Sequence, residues 1–88
     1  MINLRILSPL EDIFSGEVRS ISSVNSAGPF DILPQHANFI TITNQDKPII
    51  LNLPNGEKKE FKFSPAVIHC HNDKVEIYTD LASADHLI

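Results

Sequence analysis

At 88 residues, with 42% hydrophobic and 20% charged side chains, the chain has room for one domain and the composition of a folding globular protein. A formal net charge of −4 gives nucleic acid and anionic lipid nothing to attract and favours partners with basic patches. The lone cysteine, Cys70, cannot close an internal disulfide, no leader peptide precedes Ile2, and no apolar run nears the roughly 20 residues of a membrane span, so a reducing cytosolic compartment without direct membrane insertion is expected.

The chain reads as short strands and turns from its first residue. Met1–Leu7 alternates, with Ile2, Leu4 and Ile6 on one face, as a half-buried strand requires. Ser8-Pro9-Leu10-Glu11-Asp12 is a turn in which Ser8 bonds the local backbone. The adjacent acids Glu11 and Asp12 are solvated turn residues, because paired catalytic carboxylates need a cleft. Ile13-Phe14 returns to apolar surroundings, and Ser15-Gly16 permits a bulge or bend. Val18, Ile21 and Val24 are spaced by three, which a one-residue bulge near Arg19-Ser20 would reconcile with a strand.

The stretch from Gly28 to Thr41 is the most constrained. Gly28 accepts a positive φ and Pro29 fixes its own near −65°, which sets up a reversal before Phe30. Leu33 precedes Pro34 and is pushed away from the helical region, so a second corner follows in which His36 hydrogen-bonds across the turn. This segment is expected to be a buried connector with a presented tip. Phe39–Thr43 is a strand with Ile40 and Ile42 on one face and Phe39, Thr41 and Thr43 on the other.

Pro48–Leu53 and residues 57–63 flank Pro54-Asn55-Gly56-Glu57, and Asn-Gly predicts a type I′ hairpin between them. Phe61 and Phe63 face inward, and Lys58-Lys59 reads as a solvated pair. Ser64-Pro65 makes a corner, Ala66–Asn72 is a strand, Asn72-Asp73 turns it, and Lys74–Asp80 returns with Val75, Ile77 and Thr79 on one face. Leu81–Ile88 is too short for a hairpin of helices.

The sequence offers little catalytic chemistry. The three glycines, at 16, 28 and 56, form no phosphate-binding loop, and no Gly-x-Ser-x-Gly elbow is present. His69 and His71 share one face of a predicted strand and offer two imidazoles to a metal, with His36, His86 or Asp73 as candidate third ligands. The simpler reading keeps both histidines on the outer face and Cys70 in the core.

Gly28-Pro29-Phe30-Asp31-Ile32-Leu33-Pro34-Gln35-His36, with Ile13–Val18 upstream and Val75–Ala82 downstream, resembles the N-terminal β-sandwich domain of F-type ATP synthase epsilon subunits over residues 2–83. The resemblance implies an all-β fold, a flattened sandwich or barrel of about eight to ten mostly antiparallel strands over 1–83, with a short tail at 84–88 and no C-terminal helical hairpin. It implies a non-catalytic central-stalk subunit with no cofactor, bound to gamma and to the polar loops of the c-ring, coupling rotation to ATP synthesis at the inner face of an energy-transducing membrane and without autoinhibition by C-terminal helices. Carried over by position, Ala27, Gly28, Pro29, Phe30 and Asp31 face the c-ring, and Ser8 and His36 approach gamma. The family usually has an acidic residue at the position of Pro29, glycines at those of Asp31 and Gln35, and a Gly-Gly turn where Ser64-Pro65 stands. The competing classes are a sandwich adaptor of another complex and a histidine-based metal-binding module.

Overall fold

The structure, a computed structural model, describes residues 1–62 and 65–79. The expectations for Phe63, Ser64, Asp80, His86 and the tail fall outside the described residues. Nine strands lie within them: β1 (Ile2–Leu7), β2 (Asp12–Val18), β3 (Ser20–Asn25), β4 (Gly28–Ile32), β5 (Phe39–Ile42), β6 (Pro48–Asn52), β7 (Lys58–Lys62), β8 (Val67–His71) and β9 (Lys74–Tyr78). They form a five-stranded sheet, β2-β1-β9-β8-β5, and a four-stranded sheet, β4-β3-β6-β7. Every described pairing is antiparallel except β1 with β9, which runs parallel with Leu4 beside Val75 and Ile6 beside Ile77. The expected all-β sandwich is therefore the observed fold.

The core is the set of inward residues that alternation selects. Ile2, Leu4, Ile6, Ile68, Cys70, Val75 and Ile77 come from the five-stranded sheet, and Ile21, Ile32, Ile49 and Leu51 from the other; all are buried. β-branched side chains suit this thin interlayer because their restricted χ1 packs well on a pleated surface. Both open sides of the sandwich are closed by phenylalanine. Phe14 on β2 meets Phe61 on β7 with ring centroids 6.4 Å apart at 68°, and Phe30 on β4 meets Phe39 on β5 at 6.3 Å and 87°. Each edge strand of one sheet is thus tied to an edge strand of the other in the edge-to-face geometry that aromatic quadrupoles favour.

Local expectations hold in part. The bulge in β2 lies at Ile13, because Ile6 faces Phe14 while Leu7 faces Asp12, and Ser15-Gly16 pairs regularly with Arg5 and Leu4. The extra residue lets both Ile13 and Phe14 lean on the core. The odd spacing of Val18 and Ile21 arises because Arg19 carries the chain from one sheet to the other; Val24 lies on the opposite face from Ile21. The Asn-Gly hairpin is not type I′. Gly56 N–H donates to Leu53 O, so Pro54 and Asn55 are the central residues, and only Gly56 has a positive φ, of 90°. Pro54, held at negative φ, decides that geometry. The two-residue turn with both φ values positive is Asn72-Asp73, at 50° and 62°.

The connector between β4 and β5 is exposed throughout residues 33–38, so the expectation of a buried segment is corrected. It is pinned at its ends. His36 N–H donates to Leu33 O, Gln35 N–H to Asp73 Oδ1 at 2.5 Å, and Asn72 N–H to Asn38 Oδ1 at 3.0 Å. Gln35 takes φ 65°, which is why the position suits glycine.

Two outcomes follow. Gln35→Gly is expected to hold or raise the midpoint of urea unfolding, whereas Gln35→Val lowers it, because a β-branched side chain fits left-handed backbone worse than the glutamine already there. A double-mutant cycle of Phe30→Leu and Phe39→Leu should return a coupling of about 1 kcal/mol; additive effects would show that the clasp is mere burial.

Candidate functional site: the outer face of the five-stranded sheet and the β3–β4 tip

Alternation that buries one side of the five-stranded sheet sends the other side outward. Reading across strands by register, Ile42 lies beside Val67, Val67 beside Tyr78, and Tyr78 beside Leu7, with Ile40 two residues before Ile42. Ile40 is 69% and Ile42 59% exposed, values far from those of a core β-branched residue. The strand turns this way because its other face carries hydrogen-bonded threonines. Thr43 Oγ1 accepts from Ala66 N–H at 2.9 Å, and Thr41 Oγ1 accepts from Asn25 Nδ2 at 3.0 Å. At the same end an apolar hollow of about 620 Å³ is lined by Leu7, Ser8, Pro9, Pro65, Tyr78 and Thr79.

Ser8 performs its expected turn chemistry. Its Oγ accepts from Leu10 and Glu11 N–H, and its own N–H donates to Glu11 O at 2.9 Å. His36 sits at the other end of the sheet, beside the β8–β9 turn. Its ring lies 5.0 Å from Phe39, and Nδ1 is 2.9 Å from Ala37 O, so the histidine extends the β4–β5 clasp. Ser8 and His36 are therefore not one cluster, and the exposed apolar row runs in the space between them.

The β3–β4 hairpin turns through Ser26-Ala27, with Asn25 Oδ1 accepting from Ala27 N–H at 2.9 Å. Gly28 follows at φ 117°, with open space where a Cβ would stand, so conformation and not crowding selects glycine. Ala27, Pro29 and Asp31 point outward, and Asp31 Oδ1 accepts from Ser22 Oγ at 2.6 Å. Phe30 turns inward to Phe39 and serves the clasp. Asn44 N–H donates to Val24 O, and Thr43 N–H to Ala66 O. These bonds put the hairpin tip at the end of the sandwich that holds Pro65, Tyr78 and Ser8.

Elsewhere on the outer face, His69 and His71 project together with ring centroids 6.2 Å apart. Among the described residues no group of three or more His, Cys, Asp or Glu side chains is placed to hold a metal. Lys58 and Lys59 are exposed, as expected of a solvated pair, and Lys59 also lies on the Phe61 side of β7 with Nζ 5.8 Å from the centre of the Phe14 ring. Glu76 Oε1 accepts from Tyr78 Oη at 2.7 Å, and this bond raises the phenol above its ordinary pKa. Cys70 is buried, and desolvation, with Asp73 adding to it, raises the thiol likewise. No helix among the described residues is long and apolar enough to cross a membrane.

These features define a small β-sandwich whose chemistry is that of surfaces: an apolar sheet face, a proline-shaped hairpin tip, and no assembled nucleophile, base and orienter among the described residues. The family model for the ATP synthase delta/epsilon chain β-sandwich domain matches residues 1–85, and the chain belongs to that family. It is 32% identical over 81 residues to an ATP synthase epsilon chain of Clostridium botulinum, covering 90% of this chain and 58% of that one. It is 30% identical to an ATP synthase epsilon chain of Stenotrophomonas maltophilia, with 92% and 57% covered. The chain thus spans less than three fifths of the length of these curated relatives. In fold it is similar to a chain of the Euglena gracilis mitochondrial ATP synthase, in a structure of its OSCP/F1/c-ring, with a TM-score of 0.81, 21% identity, and coverage of 89% of this chain and 49% of that one. A chain from the central stalk and c-ring of the Tetrahymena thermophila mitochondrial enzyme gives 0.74 at 10% identity, covering 90% and 63%.

A raised thiol pKa binds the native state to the neutral form. Cys70 therefore contributes stability that is full below the free-thiol pKa and is lost as pH rises through the folded one. A thiol reagent at pH 8 should label native Cys70 at least about 100-fold more slowly than the urea-unfolded chain. Comparable rates would contradict its burial.

Proposed function

We propose that this chain is the β-sandwich part of an epsilon-type, non-catalytic rotor subunit of an F-type ATP synthase, docking on gamma and on the polar loops of the c-ring. The observation that carries the reading is the exposed row Ile40, Ile42, Val67, Tyr78 and Leu7, a face that an isolated small domain has no reason to leave apolar. Gamma covers this row. A contact that reaches both Ser8 and His36 has to run the length of the sheet, across the isoleucines.

The c-ring contact belongs to the β3–β4 tip, where Ala27, Pro29 and Asp31 are the outward groups. Gly28 sets the turn, and Phe30 anchors the tip from within. Asp31 supplies the acidic group that the family usually carries at the position of Pro29. Its exposure leaves it free to meet a basic loop while Ser22 holds its orientation. The subunit would sit peripherally on the membrane through this assembly.

The test is capture by the cognate gamma subunit. Ile42→Asp should weaken capture by about tenfold or more, as expected for a charge placed in a desolvated interface, while the unfolding midpoint stays nearly unchanged because the side chain is exposed. Pro29→Gly combined with Asp31→Asn should leave gamma capture intact and reduce ion-driven ATP synthesis by the reconstituted enzyme. Absence of gamma binding by the wild-type chain would refute the rotor reading.

A further inference from the structure

The outer face holds a second feature that the docking reading does not use. At the β8–β9 turn end, opposite to the Ser8 hollow, a groove of about 450 Å³ is lined by Asn3, Arg5, His69, His71, Lys74, Val75 and Glu76. Register sets this composition: His71 lies beside Lys74 and Lys74 beside Asn3, while His69 lies beside Glu76 and Glu76 beside Arg5. Two of the seven Lys and Arg side chains and two of the four histidines of an acidic protein meet in one depression.

One acid, Glu76, lines the groove itself between His69 and Arg5, and the acids around it have partners of their own. Glu76 Oε1 is taken by Tyr78 Oη at 2.7 Å. Asp12, on β2, is paired with Arg5 at 3.6 Å, the one ion pair among the described residues. Asp73, in the turn, accepts from Gln35 N–H, and Glu17, on β2, is three strands away from His71. From β5 come only Ile40 and Ile42. Lys74, His69 and His71 are left without a carboxylate inside ion-pair distance among the described residues.

We propose that this groove is an oxyanion site that takes a phosphate-type dianion on Lys74, His71 and His69. The three side chains come from two adjacent strands on a rigid sheet, so donors are presented with little ordering cost. Lysine supplies a fixed point charge, and each imidazole donates from a ring nitrogen. Arg5, already bridged to Asp12, frames the mouth.

The experiment is an NMR titration of the chain with inorganic phosphate, acetate or perchlorate at fixed ionic strength, read at the imidazole signals of His69 and His71 with His36 as the internal control. Phosphate should give saturable shifts at His69 and His71 and none at His36. Lys74→Gln and His71→Gln, both at exposed positions, should each weaken it about threefold or more while leaving the unfolding midpoint in place. Shifts that rise linearly, that perchlorate reproduces, or that survive both substitutions would overturn the site. Saturation by acetate as tight as by phosphate would overturn the assignment of the dianion. None of these outcomes depends on gamma or the c-ring.

Discussion

Two edge-to-face phenylalanine pairs hold this sandwich closed, and the disposition of its surfaces depends on them. Phe14 with Phe61 and Phe30 with Phe39 join the outermost strands of the two sheets, at the places where a thin sandwich would otherwise admit water to its isoleucine layer. Each pair contributes about 0.5–1.5 kcal/mol beyond burial, a sizeable share of the stability of so small a domain. Their neighbours reinforce them: Lys59 lies over Phe14, and the ring of His36 lies against Phe39. The bulge at Ile13 is part of the same device, since without it Phe14 would not share the inward side with Ile13.

Closure of the core fixes what is left outside. The parallel seam between β1 and β9 brings the two ends of the described fold together, bonded by Asn3 N–H to Asp73 O at one end and Thr79 N–H to Leu7 O at the other. It sets Leu7 beside Tyr78 and Arg5 beside Glu76, so the outer face has an apolar end and a charged end. An exposed apolar row and a groove lined by Arg5, Lys74, Glu76 and two histidines follow from one register. A slip by a single residue would exchange inside for outside along the whole seam.

The hairpin tip shows the same economy of means. A glycine at positive φ and a proline shape it, and an inward phenylalanine anchors it, so a presented surface is carried by residues whose main work is structural. This separation of roles suits a surface built for docking. Rigid elements hold the contact residues in place, and the contact itself lies on exposed side chains that the core does not need.

Strand identity, face alternation and turn positions were determined by the sequence, because they rest on period-two patterning and on the local preferences of Gly, Pro, Asn and Asp. Family membership was readable for the same reason, from residues 28–36, whose constraints are local. Tertiary structure alone decided which face of β5 is the inside. Ile40 and Ile42 alternate as a core strand does, yet face outward because the threonines on the other side find hydrogen-bond partners across the sandwich. It also decided that Ser8 and His36 lie at opposite ends of a sheet, that Phe30 serves the interior, and that residues as distant as Arg5, His71 and Lys74 share a groove. These facts depend on which strands become neighbours. Local patterning is blind to that, since the free energy that selects strand partners comes from burial between segments far apart in the chain.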